Sequence, residues 1–200
     1  MKNNELTTHR LCLKPITDAD VASLVRHWGD SQVRRYLWDD KPVTVDMVNA
    51  VVTTSDQDFL RHGYGIWTLR QVEDERLVGI CGLRVVKNTE FVEILYSLRP
   101  RFWRNGYATE AAKEVLEYAF GTLNVTRVLA AHDRDNLDSE AVMQRLGMHP
   151  VKAQDTTRLR RKVGASAKDL SFWQIFRGAE LSHAPRKASR SSRNRVRLSG

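Results

Sequence analysis

Between Glu90 and Gly121 the hydrophobic period of the chain switches once, and that switch limits its fold more than any other feature. Glu90 to Leu98 (EFVEILYSL) reads as a strand halted by Pro100, which has no N–H to give to a ladder. Ala108, Ala111, Ala112, Val115, Leu116, Ala119 and Phe120 then recur at helical spacing, with Gly106 before the stripe and Gly121 at its end. A short basic loop joins the two. Strand, basic glycine loop and helix together make an anion site, because the first N–H groups of a helix lack intrahelical partners and carry the positive end of its dipole. Gly106 lets the backbone approach an anion closely and Arg104 adds charge, so the segment points to a phosphate-bearing ligand. No Gly-Lys-Ser/Thr follows and no GxGxxG is present, which excludes a Walker A loop and a dinucleotide fingerprint.

The rest of the chain supplies the frame for this unit. Thr8 to Lys14 alternates Leu11 and Leu13 with polar neighbours and ends at Pro15, a first strand. Asp18 or Asp20 caps a helix carrying Val21, Leu24, Val25 and Trp28. After a polar stretch, Thr44 caps a second helix that Gly63 stops. Tyr64 to Arg70 and Leu77 to Val86 read as strands that continue into Glu90 to Leu98 as an antiparallel meander. Arg127 to Ala131 is a short strand, Asn136 caps a helix stopped by Gly147, and Leu170 to Phe176 is a last strand. The order βααβββαβα then β predicts a mixed α/β (α+β) fold, a mostly antiparallel sheet with helices on both faces.

Charge and cysteine narrow the function. Of 32 basic residues against 24 acidic, six (Arg186, Lys187, Arg190, Arg193, Arg195 and Arg197) lie in residues 182–200, which hold no acid. The body is therefore close to neutral. The chain divides into a domain over residues 1–181 and a basic Ser/Arg-rich tail over 182–200, too polar to fold and suited to an electrostatic contact with RNA or the ribosome. Cys12 and Cys81 fall in strand-like runs and read as reduced, buried thiols. No His, Cys or carboxylate spacing suits a metal. No apolar run reaches the roughly 18 residues of a membrane span, and the N-terminus shows no secretory signal; a cytoplasmic protein without a membrane partner is expected, as monomer or homodimer.

LTTHRLCLKP, LVGICGL, EILYSLRPRFWRNGYATEAA and DRDNLDSEAVMQRLGMHP together resemble the GNAT superfamily of acetyl-CoA-dependent N-acetyltransferases, most closely its RimJ/RimL branch, across most of residues 6–177. The resemblance implies the fold and acetyl-CoA as co-substrate. It places the pyrophosphate on the backbone of Arg104, Asn105, Gly106, Tyr107, Ala108 and Thr109. It lays pantetheine along Ile94, Leu95, Tyr96 and Ser97, and it puts Asn136 and Ser139 against the pantetheine arm. Glu93 matches the strand glutamate that serves part of the family as general base; strand alternation sets it opposite Val92 and Ile94, with solvent as one destination. The tyrosine that usually protonates the leaving thiolate is missing after Asn136-x-x-Ser139, leaving Ser139 and Tyr107 as candidates. Trp38 and Asp39 fall where the family builds its acceptor pocket, and Asp39 and Asp40 suit a cationic amine.

Transfer to an amine requires holding two substrates, accepting a proton, stabilising an oxyanion and releasing a thiol. An α-amine, with a pKa near about 8 against about 10.4 for lysine, asks least of a base. Acetyl transfer to a protein or peptide N-terminal amine by direct attack is the leading expectation. The alternatives are a small-amine acetyltransferase (amino acid, polyamine or aminoglycoside), a CoA-binding module without activity, and nucleic-acid binding through the tail. Trp28, Trp67, Trp103 and Trp173 read as packing residues, and Arg158 to Lys162 as a solvated hairpin loop.

Overall fold

The computed structural model describes residues 4–86, 89–163, 169–179 and 181. The 182–200 tail, with its expected disorder and RNA contact, lies outside the described residues. Eight strands form one sheet: β1 (Leu6–Thr7), β2 (Leu11–Pro15), β3 (Ile66–Gln71), β4 (Leu77–Val85), β5 (Val92–Leu98), β6 (Arg127–Asp133), β7 (His149–Pro150) and β8 (Leu170–Phe176). Their order is β1-β2-β3-β4-β5-β6-β8-β7. Every neighbouring pair is antiparallel except β5 and β6.

Among the described residues six α-helices accompany the sheet: α1 (Val21–Trp28), α2 (Ser31–Leu37), α3 (Val45–His62), α4 (Tyr107–Gly121), α5 (Leu137–Arg145) and α6 (Ala153–Val163). The alternation of the strands sorts the helices between faces. Leu13, Trp67, Val78, Cys81 and Ile94 pack with Ala111, Ala112, Val115 and Leu116 of α4, with Met143 of α5 and with Leu146 just after it. Ile66 and Ile80 pack on the other face with Leu24 and Trp28 of α1, Val33 of α2, and Val48 and Val52 of α3. A third cluster joins Leu159 of α6 to Leu129 and Phe172.

Two caps and one stop read from sequence are in place, whereas Asp20 stands at the N-cap of α1 without capping it and accepts instead from the Thr17 N–H. Thr44 accepts from the Met47 N–H, Gly63 ends α3 with φ 77°, and Asn136 accepts from the Ser139 N–H. Four elements add to the sequence reading: α2, α6, and the two-residue strands β1 and β7. Arg158 to Lys162, expected in a hairpin loop, lies within α6, where Leu159 is buried and anchors the turn. Cys81 is buried and Cys12 half-buried, both as free thiols. Trp28, Trp67 and Trp173 are core residues. Among the described residues no helix is long and apolar enough to cross a membrane.

Candidate active site

The candidate site lies where β5 and β6 part. The parallel pair is joined only at Val92–Val128 and Glu93–Leu129. Beyond those two pairs β5 continues to Leu98 bonded to β4 alone. The Val86 N–H donates to the Phe91 carbonyl and the Arg99 N–H to the Val78 carbonyl. These two bonds set the phase of the antiparallel ladder: odd-numbered residues of β5 turn their backbone toward β4, and Tyr96 and Leu98 turn theirs into the gap. The Leu98 carbonyl is taken by the Trp103 indole N–H at 2.7 Å. The Tyr96 peptide groups therefore face a V-shaped opening as an unpaired strand edge. β4 can lie close under this edge because it has glycine at position 79, where a Cβ would collide with the Ser97 carbonyl.

The second component is the start of α4. Gly106 is its N-cap, with φ 81°, and gives no side-chain cap. The N–H groups of Tyr107, Ala108 and Thr109 thus begin the helix without intrahelical acceptors. A carboxylate in this first turn, Glu110, would oppose an anion, and the fold neutralises it. Glu110 accepts from Thr8 Oγ1 at 2.5 Å, from the Arg10 N–H at 3.0 Å and from Arg10 Nε at 2.6 Å. Burial would raise its pKa, but these bonds outweigh burial and hold the carboxyl below its ordinary range. Arg10 also donates to the Asn105 carbonyl at 3.1 Å and lies over the Tyr107 ring. The Tyr107 phenol accepts from Gln71 at 3.0 Å, which ties this candidate acid to β3. Arg104 is exposed at the turn, in left-handed backbone, 3.5 Å from Asp138.

The opening is crossed on both sides. Tyr96 reaches α5, its hydroxyl 3.0 Å from Ser139 Oγ and donating to the Ser139 carbonyl at 3.1 Å. On the α2 side, Arg35 forms an ion pair with Asp135 at 2.7 Å. Asp39, Asp133, Asp135 and Asp169 make this side acidic. Burial, then the charges of Asp135, Asp39 and Asp169, push the Asp133 carboxyl up against the opposing pull of His132.

Several expected residues occupy other settings than the sequence suggested. Glu93 does not face solvent: its side chain is 13% exposed and paired with Arg84 at 2.9 Å. Arg84 is its cross-strand partner in the β4–β5 hairpin, a pairing that the hairpin register alone could have given. Trp38 directly follows α2 and packs on Trp28, ring centroids 5.6 Å apart, its indole N–H buried without an acceptor. Asp39 is exposed, in left-handed backbone, and 3.5 Å from Lys41; Asp40 pairs with Arg34 at 2.8 Å. Ser97 is held from the α1 side by His27, whose Nε2 donates to the Ser97 carbonyl at 3.2 Å and lies 2.9 Å from its hydroxyl. Arg10, Arg84, His27 and Arg35 were not singled out from sequence, since each acts through a contact that only the fold brings about.

An unpaired strand edge leading to an uncapped helix start accepts an extended amide chain ending in phosphates, and residues 10–149 match the family model for the acetyltransferase (GNAT) domain. The chain belongs to the GNAT acetyltransferase family. It is an N-acetyltransferase, and acetyl-CoA is the donor that the family uses. An uncharacterized N-acetyltransferase of Bacillus subtilis, YoaA, is 26% identical over 143 residues, 71% of this chain and 81% of that protein. The fold is shared with an acetyltransferase from Agrobacterium tumefaciens at TM-score 0.72 and 20% identity, covering 86% of this chain and 93% of that one. It is also shared, at TM-score 0.69 and 13% identity over 86% and 96% of the two chains, with a RimL ribosomal alpha-N-protein acetyltransferase in complex with coenzyme A.

Proposed function

We propose that this GNAT enzyme acetylates a protein or peptide N-terminal α-amine, in the manner of the RimJ/RimL branch, by direct attack within a ternary complex. The observation carrying this reading is the group of acids at the end of β6, where the charges of Asp135 and Asp39 act on Asp133. A cationic amine is drawn to such a group of carboxylates, and Asp39 and Asp135 are exposed to a chain that carries one. RimL shares only the fold at 13% identity, so the acceptor rests on the cleft and not on that likeness.

In this reading Arg104 to Thr109 hold the CoA phosphates, and Ile94 to Ser97 with Asn136 line the pantetheine. Glu93 stands at the apex of the opening, where the last β5–β6 pair closes, and takes the amine proton through water while Arg84 orients its carboxylate. Ser139 attends the leaving sulfur. Trp38 and Asp39 border the acceptor. The 182–200 tail adds a weak polyanion contact without entering the chemistry, so its removal leaves transfer to a minimal acceptor unchanged.

The test is thiol release from acetyl-CoA across peptides with free or blocked N-termini, amino acids, polyamines and aminoglycosides. Turnover that needs a free peptide α-amine supports the assignment. Turnover confined to small amines transfers it to them, and CoA binding without turnover on any amine overturns it.

A further inference from the structure

Tyr96 carries two separate features at the opening. Its peptide groups form the unpaired edge of β5, and its side chain crosses to α5, where the hydroxyl meets Ser139 Oγ at 3.0 Å and the Ser139 carbonyl at 3.1 Å. Ser139 is itself fixed, because its N–H caps onto Asn136 Oδ1 at 3.1 Å. The phenol therefore has two acceptors on one residue, and its single hydrogen can serve either. When it points to the carbonyl, the Ser139 hydroxyl hydrogen rests on the phenol oxygen. When it points to Ser139 Oγ, the serine hydrogen is released toward the opening.

We propose that Tyr96 is a positioning residue for thiol departure, acting through Ser139 in place of the tyrosine absent after α5. This rests on the placement of the CoA arm along β5. As the carbon–sulfur bond breaks, its electron pair goes to sulfur. Ser139 Oγ–H turns to that sulfur and gives up its proton, Ser139 Oγ takes the phenol proton, and solvent restores the phenol once CoA has left. The arrangement answers a chemical difficulty. An aliphatic alcohol is a much weaker acid than a thiol of ordinary pKa about 8.5, whereas a phenol, at about 10, is close to it. Linked in this way, the serine supplies the reach and the phenol the proton. Burial, the main influence on Tyr96, keeps the phenol protonated at neutral pH, so the pair stands loaded before each turnover.

The decisive measurement is the titration of the CoA thiol in its complex with the enzyme, followed by thiolate absorbance, beside kcat with the best amine acceptor. Wild type, Tyr96→Phe, Ser139→Ala and the double variant are compared, with thermal melts as a folding control and Ser139→Ala as the probe if Tyr96→Phe melts early. A hydrogen bond from the pair stabilises bound thiolate, so each single variant should reduce the thiolate fraction at a given pH by about tenfold, equivalent to one pH unit in the thiol pKa. CoA affinity should change less than about threefold, under about 0.7 kcal/mol, kcat should fall with the thiolate fraction, and the double variant should add nothing. An unchanged thiol titration in either single variant overturns the proposal, as do effects that multiply in the double variant. If CoA binds but no amine is acetylated, the titration still decides the matter. If wild type does not bind CoA at all, the placement of CoA fails and takes this proposal with it.

Discussion

His27 ties α1 to Ser97 of β5, and its protonation should be legible in the pH dependence of stability. It is 2% exposed. Because its Nε2 meets a carbonyl, which only accepts, Nε2 carries the hydrogen and Nδ1 is a lone pair, buried without a partner. Protonating Nδ1 would place a charge in the α1–β5 interface. Burial, opposed by the Ser97 bond, pushes His27 down from 6.5 to about 4. The unfolded chain therefore binds a proton near pH 6.5 that the folded protein takes up only near pH 4. The associated stability is intact above pH 6.5, falls by about 1.4 kcal/mol for each pH unit below that, and levels off near pH 4 after a loss of about 3 kcal/mol. Urea unfolding at closely spaced pH values, for wild type and His27→Gln, isolates the effect. Glutamine can still donate to Ser97 but does not titrate. Asp58, Glu114 and Asp133 are raised and act in the opposite sense, and the difference between the two proteins cancels them. The variant should be less stable at pH 7.5 and converge on wild type by pH 4. Parallel curves would refute a neutral, buried His27.

Gly106→Asp should weaken CoA binding by about a hundredfold or more, about 2.7 kcal/mol, by calorimetric titration. A Cβ there meets only Arg10 Nη2 at 3.5 Å, but the φ of 81° strains any side chain at this position, so a thermal melt accompanies the titration to separate lost binding from lost fold. Arg10→Ala should destabilise the protein by about 1–3 kcal/mol through the unpaired Glu110 and weaken CoA binding; adding Glu110→Gln should restore the binding, which a purely structural Arg10 would not predict. Glu93→Gln should lower kcat by about 10²–10⁴ with CoA affinity retained, most severely below the acceptor's pKa, and equal turnover at all pH values would remove Glu93 from the chemistry. Arg35→Ala should change stability by under about 1 kcal/mol, as an exposed pair does, yet lower KM for cationic peptides by freeing Asp135; an unchanged KM in low salt would detach that ion pair from the acceptor path.

Elements whose stability is local were legible in the sequence. The stripe of α4 buries Ala111, Ala112, Val115, Leu116 and Ala119, so its period could not be mistaken, and β8 falls on Leu170–Phe176 as its apolar run indicated. α2 and α6 escaped for the same reason in reverse. Val33 is the buried residue of α2, and Leu159 anchors α6. Val33 and Leu37 are the residues that α2 sets against the core, and so sparse a pattern leaves no periodicity to read. Such helices are held by the surface they rest on, as is usual for short helices in water. β1 and β7 have two residues each and exist only as additions to the strands beside them.

The site divides along the same line. Its unpaired strand edge was implied by the family resemblance, whereas its glycine turn and helix start are properties of contiguous sequence and could be read there. Its side-chain features are not, because each joins residues that the chain keeps far apart: Arg10 to Glu110, Arg35 to Asp135, Tyr96 to Ser139. Arg84 and Glu93 lie between these cases, nine residues apart across one hairpin. This separation has a functional side. In the proposed reading the backbone features bind the amide chain and the phosphates of acetyl-CoA, and tolerate few changes in glycine or strand position. In the same reading the distant pairs govern acceptor choice and proton movement, and each can be removed by one substitution.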